Sequence, residues 1–308
     1  MSDIDVSFVM TVYNKEKFLP SVLKALLNQK GLKNPEFIFV DDVSSDRSVE
    51  IIEEMTKGIA NVKIVRNERN QGICIRINQG IALAQGEYVR MMDSDDIFPI
   101  DSTAKMIELS KKYDADMVYG TFVKTGKEAE ELTNEFMKND FKFYYRKDAL
   151  RAVINGRFTR MGQLIKRDVL QKAQGADERV FIQDETIPLR SAFYANGVIK
   201  MFADVVLVPK EDGNLSGNKI QLDHDRFLAY YDFITDRPLL DKDILARLNV
   251  KAVSAYWKYV RKISSCPMLS LTFVRYLYTK IFKPQPNMAV LKQMADVFAK
   301  VKVLRPKK

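Results

Sequence analysis

In the N-terminal part of the chain, short apolar runs alternate with stretches of helical periodicity, and that alternation restricts the fold to a sheet layered with helices. Val6 to Thr11, Phe37 to Val40, Val62 to Val65 and Tyr88 to Met92 read as strands. Between them, Phe18, Leu19, Val22, Leu23, Leu26 and Leu27 recur at helical spacing. Asp46 to Met55 forms a second helix with Ser44 or Ser45 near its cap, and Ile73 to Ala84 a third. Strands separated by helices of this length build a mainly parallel α/β sheet, Rossmann-like and flanked by helices.

In such a sheet the strand ends gather along one edge, so residues that come after successive strands converge although they are far apart in sequence. Thr11-Val12-Tyr13-Asn14 lies at the end of the first strand, Asp41-Asp42 after the second, and Asp93-Ser94-Asp95-Asp96 after the fourth. Crowded carboxylates repel one another unless a hard divalent cation sits between them, so the last cluster points to a metal–diphosphate site. Tyr13 offers an aromatic platform, and the second cluster offers acceptors for a base N–H. Together they describe a nucleotide-diphosphate pocket. Each cluster also has a plainer reading. Asp96 or Asp101 would cap the helix from Ser102 to Tyr113, and Asn14 would serve a turn.

The order and spacing of four segments resemble glycosyltransferase family 2 of the GT-A fold. They are Val6 to Asn14, Phe39 to Asp46, Asn67-Glu68-Arg69-Asn70-Gln71-Gly72, and Gly86-Glu87-Tyr88 leading into Asp93 to Asp96. The likeness covers roughly the first 120 residues and extends more loosely to about residue 217. It implies that Thr11, Tyr13 and Asp42, with Asp41 beside it, contact nucleobase and ribose. Arg76 matches a base-contacting arginine of some members, against the plainer reading of a solvated helix face. Asp95 and Asp96 would hold Mn²⁺ or Mg²⁺ and the sugar nucleotide, with Asp93 as helper. A carboxylate beside uracil accepts its N3–H, which favours a UDP-sugar donor.

The resemblance also assigns a general base. Gly175 to Glu178 and then Arg179-Val180-Phe181-Ile182-Gln183-Asp184-Glu185 are similar to the stretch in which a glycine-containing turn precedes a Glu-Asp pair, and the carry-over falls on Asp184. Gln183 stands where the family has Glu, and Glu185 becomes a competing candidate. The plainer reading is that both acids start the helix running through Ile187 to Tyr194. Where many members have a histidine before Ser-x-Ser, this chain has Glu211 or Asp212, so Glu211 is the expected third metal ligand. The sole histidine, His224, is flanked by acids and expected to be solvated. The Gln-x-x-Arg-Trp signature of processive synthases is absent, which implies addition of a single sugar.

Charge divides the chain. Of a net +9, residues 247–308 carry 14 lysines and arginines against Asp296 alone, or +13, leaving −4 for the rest. The expected organisation is a GT-A domain over 1–217 (nucleotide half 1–120, acceptor half 121–217), then a basic helical region over 218–308. Within the latter, Leu271, Val274, Leu277, Tyr278 and Ile281 share one face of a helix from Ser270 to Lys283, with Arg275, Lys280 and Lys283 opposite. That face would lie on an anionic membrane or pack on the catalytic domain. Nucleic acid is not an expected partner, since no recognised motif accompanies the charge. Cys74 and Cys266 have no partner pattern, and each reads as a buried small apolar residue in a reducing compartment. With no signal peptide or spanning run in the sequence, the expected location is the cytoplasm, peripheral to the inner face of the membrane.

The expectation is therefore a metal-dependent, inverting hexosyl- or N-acetylhexosaminyltransferase that acts on a glycan or lipid-linked glycan in bacterial surface polysaccharide synthesis. A catalytically silent sugar-nucleotide or membrane binder is the alternative. A sugar nucleotidyltransferase would need a glycine-rich phosphate loop, and Thr11 to Asn14 has no glycine.

Overall fold

A computed structural model describes residues 3–156, 158–210 and 219–300. The chain splits into two compact units. One runs to Glu178 and resumes over Ile187–Asp212; the other holds Arg179–Thr186 and the C-terminal helices.

The first unit is built on one eight-stranded sheet. Its strands are β1 Val6–Val12, β2 Glu36–Asp41, β3 Val62–Arg66, β4 Tyr88–Asp93, β5 Met117–Lys124, β6 Phe143–Arg146, β7 Gln163–Lys166 and β8 Val198–Val208. Helices α1 Leu19–Leu27, α2 Ser48–Thr56, α3 Ile73–Leu83, α4 Ser102–Tyr113, α5 Ala149–Asn155 and α6 Arg167–Ala173 connect them. The strand order is β3-β2-β1-β4-β7-β5-β8-β6, with β1, β2, β3 and β4 parallel where they pair. The predicted mainly parallel sheet is thus present. β7, which sequence reading did not anticipate, enters antiparallel between β4 and β5. Four residues are too few to display a period.

Period-two alternation sorts the strand side chains between two cores. Phe8, Met10 and Val12 of β1, with Phe37 and Phe39 of β2, face one core; Val9, Ile38 and Val40 face the other. Because both faces are covered, these strands read as unbroken apolar runs. Each large apolar side chain so buried contributes about 1.5–3 kcal/mol. Gly86 ends the turn into β4 where a Cβ would stand 2.6 Å from the Ser7 nitrogen, so glycine is required there for close approach to β1.

The chain runs from β1 outward through β2 and β3, then crosses to β4 on the other side of β1. That reversal is a switch point, where open α/β sheets bind ligands beyond the carboxyl ends of the strands. The register sets the level of the polar clusters: Thr11 lies opposite Asp93, and Val12 opposite Asp41.

The second unit is helical. Helix α8 Lys219–Asp236 packs on α9 Lys242–Ile263, and α10 Leu271–Phe282 and α11 Met288–Ala299 come next. Phe298 of α11 sits among His224, Phe227, Tyr256 and Tyr259 with ring centroids 4.7–5.5 Å away. His224 is therefore buried, with Nδ1 2.8 Å from Asp225 Oδ1, and the expectation of a solvated histidine is corrected. The flanking acids that suggested solvation are themselves buried: Lys262 pairs with Asp223, and Gln221 donates to Asp225. Cys74 is buried as expected, but Cys266 is exposed in the turn after α9. Helix α7 Gln183–Ala192 carries residues of both units, with Asp184 and Glu185 in its first turn and Pro188 inside it. Pro188 has no N–H to offer the Asp184 carbonyl, so the acidic first turn lacks one regular hydrogen bond to the next turn of the helix.

Candidate functional site

The end of β2 is a carboxylate trap. Both Asp41 and Asp42 are buried. The N–H groups of Val43 and Ser44 donate to the Asp41 carboxylate, closing a tight turn in which Val43 takes the left-handed conformation with φ 69°. The Gln71 and Gly72 N–H groups donate to Asp42, each at 2.9 Å, and Arg76 Nε donates to its Oδ1 at 2.7 Å. Gly72 makes this possible with φ 88°, a backbone shape that favours glycine. Arg76 is buried. Its guanidinium also donates to Asn67, Gln79 and the Arg69 carbonyl. Asn67 and Asn70 in turn donate to the Asp41 and Asp42 carbonyls. The Asn67 to Gly72 segment is thus folded around the Asp-Asp pair, and Arg76 does not lie on a solvated helix face. It acts as the clamp that positions Asp42. Three hydrogen bonds fill three of the carboxylate's roughly four acceptor positions, leaving room for one more donor at Oδ2.

At the end of β1, Asn14 adopts φ 51°, and its side chain accepts from Ser45 N–H while its own N–H donates to Ser44 Oγ. The turn reading of Asn14 holds, and it staples the loop after β1 to the loop after β2. Tyr13 is left 44% exposed, with a ring face available for stacking. Thr11 is partly buried at the strand end.

Beyond β4, protein cations meet the carboxylates. Arg160, fully buried, pairs with Asp93, and Lys15 pairs with Asp95. Asp96 is buried, and its N–H donates to the Asp93 carbonyl. Asp101 occupies the N-cap position of α4 without a side-chain cap; its carboxylate accepts from Met137 N–H instead. The loop is held from beneath by Arg90 of β4, also fully buried. Arg90 donates to Ser102, Thr103 and the Val205 carbonyl, and stacks 3.7 Å from the centre of the Phe98 ring. Burial pushes its guanidinium down to about 9, which leaves it a cation at neutral pH.

Among the described residues, no three His, Cys, Asp or Glu side chains gather as a ready-made metal cage. The rim offers carboxylates in adjacent positions, a hard-oxygen donor set suited to Mg²⁺ or Mn²⁺ when phosphates and water complete the shell. Glu211 and Asp212 lie outside the described residues.

In the second unit, Glu185 accepts from Arg226 Nε at 3.1 Å and from the Tyr230 hydroxyl at 2.9 Å. Its carboxylate is a structural tie between α7 and α8. Burial raises the Tyr230 phenol well above its usual range, with the neighbouring Glu185 charge adding to the effect. Lys251, over the Tyr230 ring at 5.5 Å, is lowered by burial. Of the two acids that begin α7, Glu185 is therefore committed to Arg226 and Tyr230.

Residues 7–173 match the family described as Glycosyl transferase family 2. The chain belongs to glycosyltransferase family 2. A Haemophilus influenzae protein named as an uncharacterized glycosyltransferase is 34% identical over 117 residues, covering 38% of this chain and 46% of that protein. The chain spans about half the length of such curated relatives. Among solved structures, S. aureus TarS 1-349 in complex with UDP-GlcNAc superposes with a TM-score of 0.65 at 16% identity, over 98% of this chain and 93% of TarS 1-349. The mannosyltransferase PcManGT of Pyrobaculum calidifontis, in complex with GDP-Man and Mn²⁺, gives 0.58 at 15% identity, over 96% and 89%. At those identities the likeness is one of fold, and it agrees with the GT-A architecture expected from sequence.

Within this family 2 rim, sequence reasoning overlooked Lys15 and Arg160. Lys15 was open to the same convergence logic as Tyr13, since it comes just after β1. Arg160 had no local signal. It precedes β7, whose insertion beside β4 brings it to a carboxylate 67 positions away.

Proposed function

We propose that the chain catalyses metal-dependent, inverting transfer of one sugar from a nucleoside diphosphate, in first place a UDP-sugar, to a glycan or lipid-linked glycan in surface polysaccharide synthesis. The observation that carries this reading is the rim itself. Asp42 is buried and held by Gln71, Gly72 and Arg76 with one acceptor position left, beside an exposed Tyr13 face and across β1 from the carboxylates after β4. That arrangement suits a base with one N–H to donate, a ring to stack and a diphosphate to neutralise. TarS and PcManGT, of like fold, were solved with UDP-GlcNAc and GDP-Man.

In this reading Thr11 and Asp41 frame the ribose and base, and Lys15 and Arg160 add positive charge towards the diphosphate. Asp95 and Asp96, with Asp93 adjacent and Glu211 as a third ligand, would hold Mn²⁺ or Mg²⁺, which offsets the charge on the departing diphosphate. The acceptor oxygen forms its bond to the sugar's anomeric carbon as the bond from that carbon to the diphosphate oxygen breaks. The electron pair leaves with the diphosphate, and Asp184 takes the hydroxyl proton. One displacement inverts the anomeric centre.

The test is a panel of UDP- and GDP-sugars incubated with the protein and Mn²⁺, with release of free nucleotide measured alongside UDP binding by calorimetry. Slow release from one UDP-sugar, abolished by chelator and by Asp96→Ala, is the expected result. Unchanged UDP affinity in excess chelator would sink the metal assignment. Binding without release from any donor would leave a silent sugar-nucleotide binder.

A further inference from the structure

Helix α10 carries an apolar face that nothing among the described residues covers. Its inner side is anchored: Trp257 of α9 stacks on Tyr276 with ring centroids 5.7 Å apart, meets Phe273 at 5.0 Å, and Thr279 is buried. Its outer side is the reverse. Leu271 is 84% exposed, Ile281 68% and Phe282 67%, with Val274 and Tyr278 between them and Leu269 in the turn that leads in. Single exposed apolar residues are ordinary on a soluble protein, whereas a contiguous stripe on one helix marks a surface that meets something.

Charge selects the partner. Arg275, Lys280 and Lys283 are exposed along the same helix, in a region where 14 lysines and arginines face a single acid. A second copy of the chain would bring two such regions together against mutual repulsion. An anionic bilayer accepts both features at once, taking apolar side chains into the headgroup–acyl boundary while its phosphates meet the cations. Tyr278 and Phe282, with rings 5.0 Å apart, are side chains that favour that boundary.

We propose that α10 is a docking surface for an anionic membrane, with the helix lying along the interface and its Leu271–Ile281 stripe inserted. No sugar nucleotide is needed for this, so the surface stands or falls separately from the transferase reading.

The experiment is co-sedimentation of the full chain with vesicles of mixed phosphatidylglycerol and phosphatidylcholine, and with phosphatidylcholine alone, at physiological salt. Binding to the anionic vesicles only is expected. The triple change Arg275→Glu, Lys280→Glu, Lys283→Glu should weaken it by at least about 10²-fold, since each basic residue near an anionic surface strengthens binding roughly fivefold. Leu271→Ser with Ile281→Ser should also release the protein. All five positions are exposed, so the melting temperature should hold, and a melt of each variant checks that. The proposal is overturned if the unmodified protein stays in the supernatant, if it binds phosphatidylcholine equally, or if the serine pair sediments unchanged. It is equally overturned if sedimentation velocity shows a dimer that the serine pair dissociates while vesicles capture nothing.

Discussion

The sheet unit and the helical unit treat polarity in opposite ways. At the sheet rim, acids are drawn in and satisfied: Asp42, buried, by two N–H groups and Arg76, and Asp93, partly buried, by Arg160. In the helical unit, acids and the sole histidine are drawn inside as well, yet α10 leaves large apolar side chains in water. The first arrangement fixes charges and donors along one rim, where the proposed ligand is small and charge-dense. The second leaves hydrophobic free energy unspent on folding, available to an extended surface. One chain thus shows two kinds of readiness, and they are separable by mutation.

The largest effect should come from the acid pair that begins α7. Asp184→Asn keeps the shape but cannot take a proton, so transfer should fall by about 10²- to 10⁴-fold while donor affinity stays near that of the unmodified protein. Glu185→Gln should instead lower the melting temperature, because Arg226 and Tyr230 lose the charge they meet, with a smaller effect on rate. Steady-state kinetics and a thermal melt on both variants decide this. If Glu185→Gln abolishes transfer and Asp184→Asn does not, the base is Glu185.

A second variant tests whether the rim's polarity is structural. Asp42→Ala would leave the buried Arg76 guanidinium without its carboxylate and orphan the Gln71 and Gly72 N–H groups. The expected cost is about 3–5 kcal/mol of stability, read by denaturant unfolding, together with loss of UDP binding. A variant that is fully stable but blind to UDP would mean that Arg76 and the loop carry themselves, and that the contrast between the units is weaker than the hydrogen bonds suggest.

How much of this was legible in the sequence differs between the same two regions. The strand–helix alternation set the level of Thr11, Asp41 and Asp93 because parallel strands of similar length end together, and the register bears that out. What alternation cannot convey is which partner a buried acid takes. The plainer reading of Arg76 as a solvated helix-face residue fails because periodicity reports only the axis it repeats around, whereas its burial comes from the loop that closes over it. β7 and Arg160 were invisible because an antiparallel insertion of four residues leaves no periodic trace. In the helical unit, periodicity found α10 nearly to the residue and yet could not say whether its apolar face would be covered, since that depends on Trp257 claiming the opposite side. His224 was misjudged from its neighbours in sequence, when its environment is made by Phe298, far along the chain.

The smallest effect, and the most discriminating for the rim, concerns Lys15. Its ammonium pairs with Asp95, both side chains being about one-fifth exposed, so the ion pair itself is worth on the order of 1 kcal/mol or less. Lys15→Met should therefore move the melting temperature little. Its effects on ligands should carry opposite signs. Without nucleotide, loss of a positive charge beside Asp95 removes a competitor, and Mn²⁺ alone should bind several-fold tighter. With Mn²⁺ saturating, the same loss takes a cation away from the diphosphate, and UDP should bind several-fold more weakly. Calorimetric titration of Mn²⁺ and then of UDP reads both signs in one preparation. Two changes of the same sign would show that Lys15 serves only to hold the loop, and the charge-dense reading of the rim would then rest on Arg160 and the carboxylates.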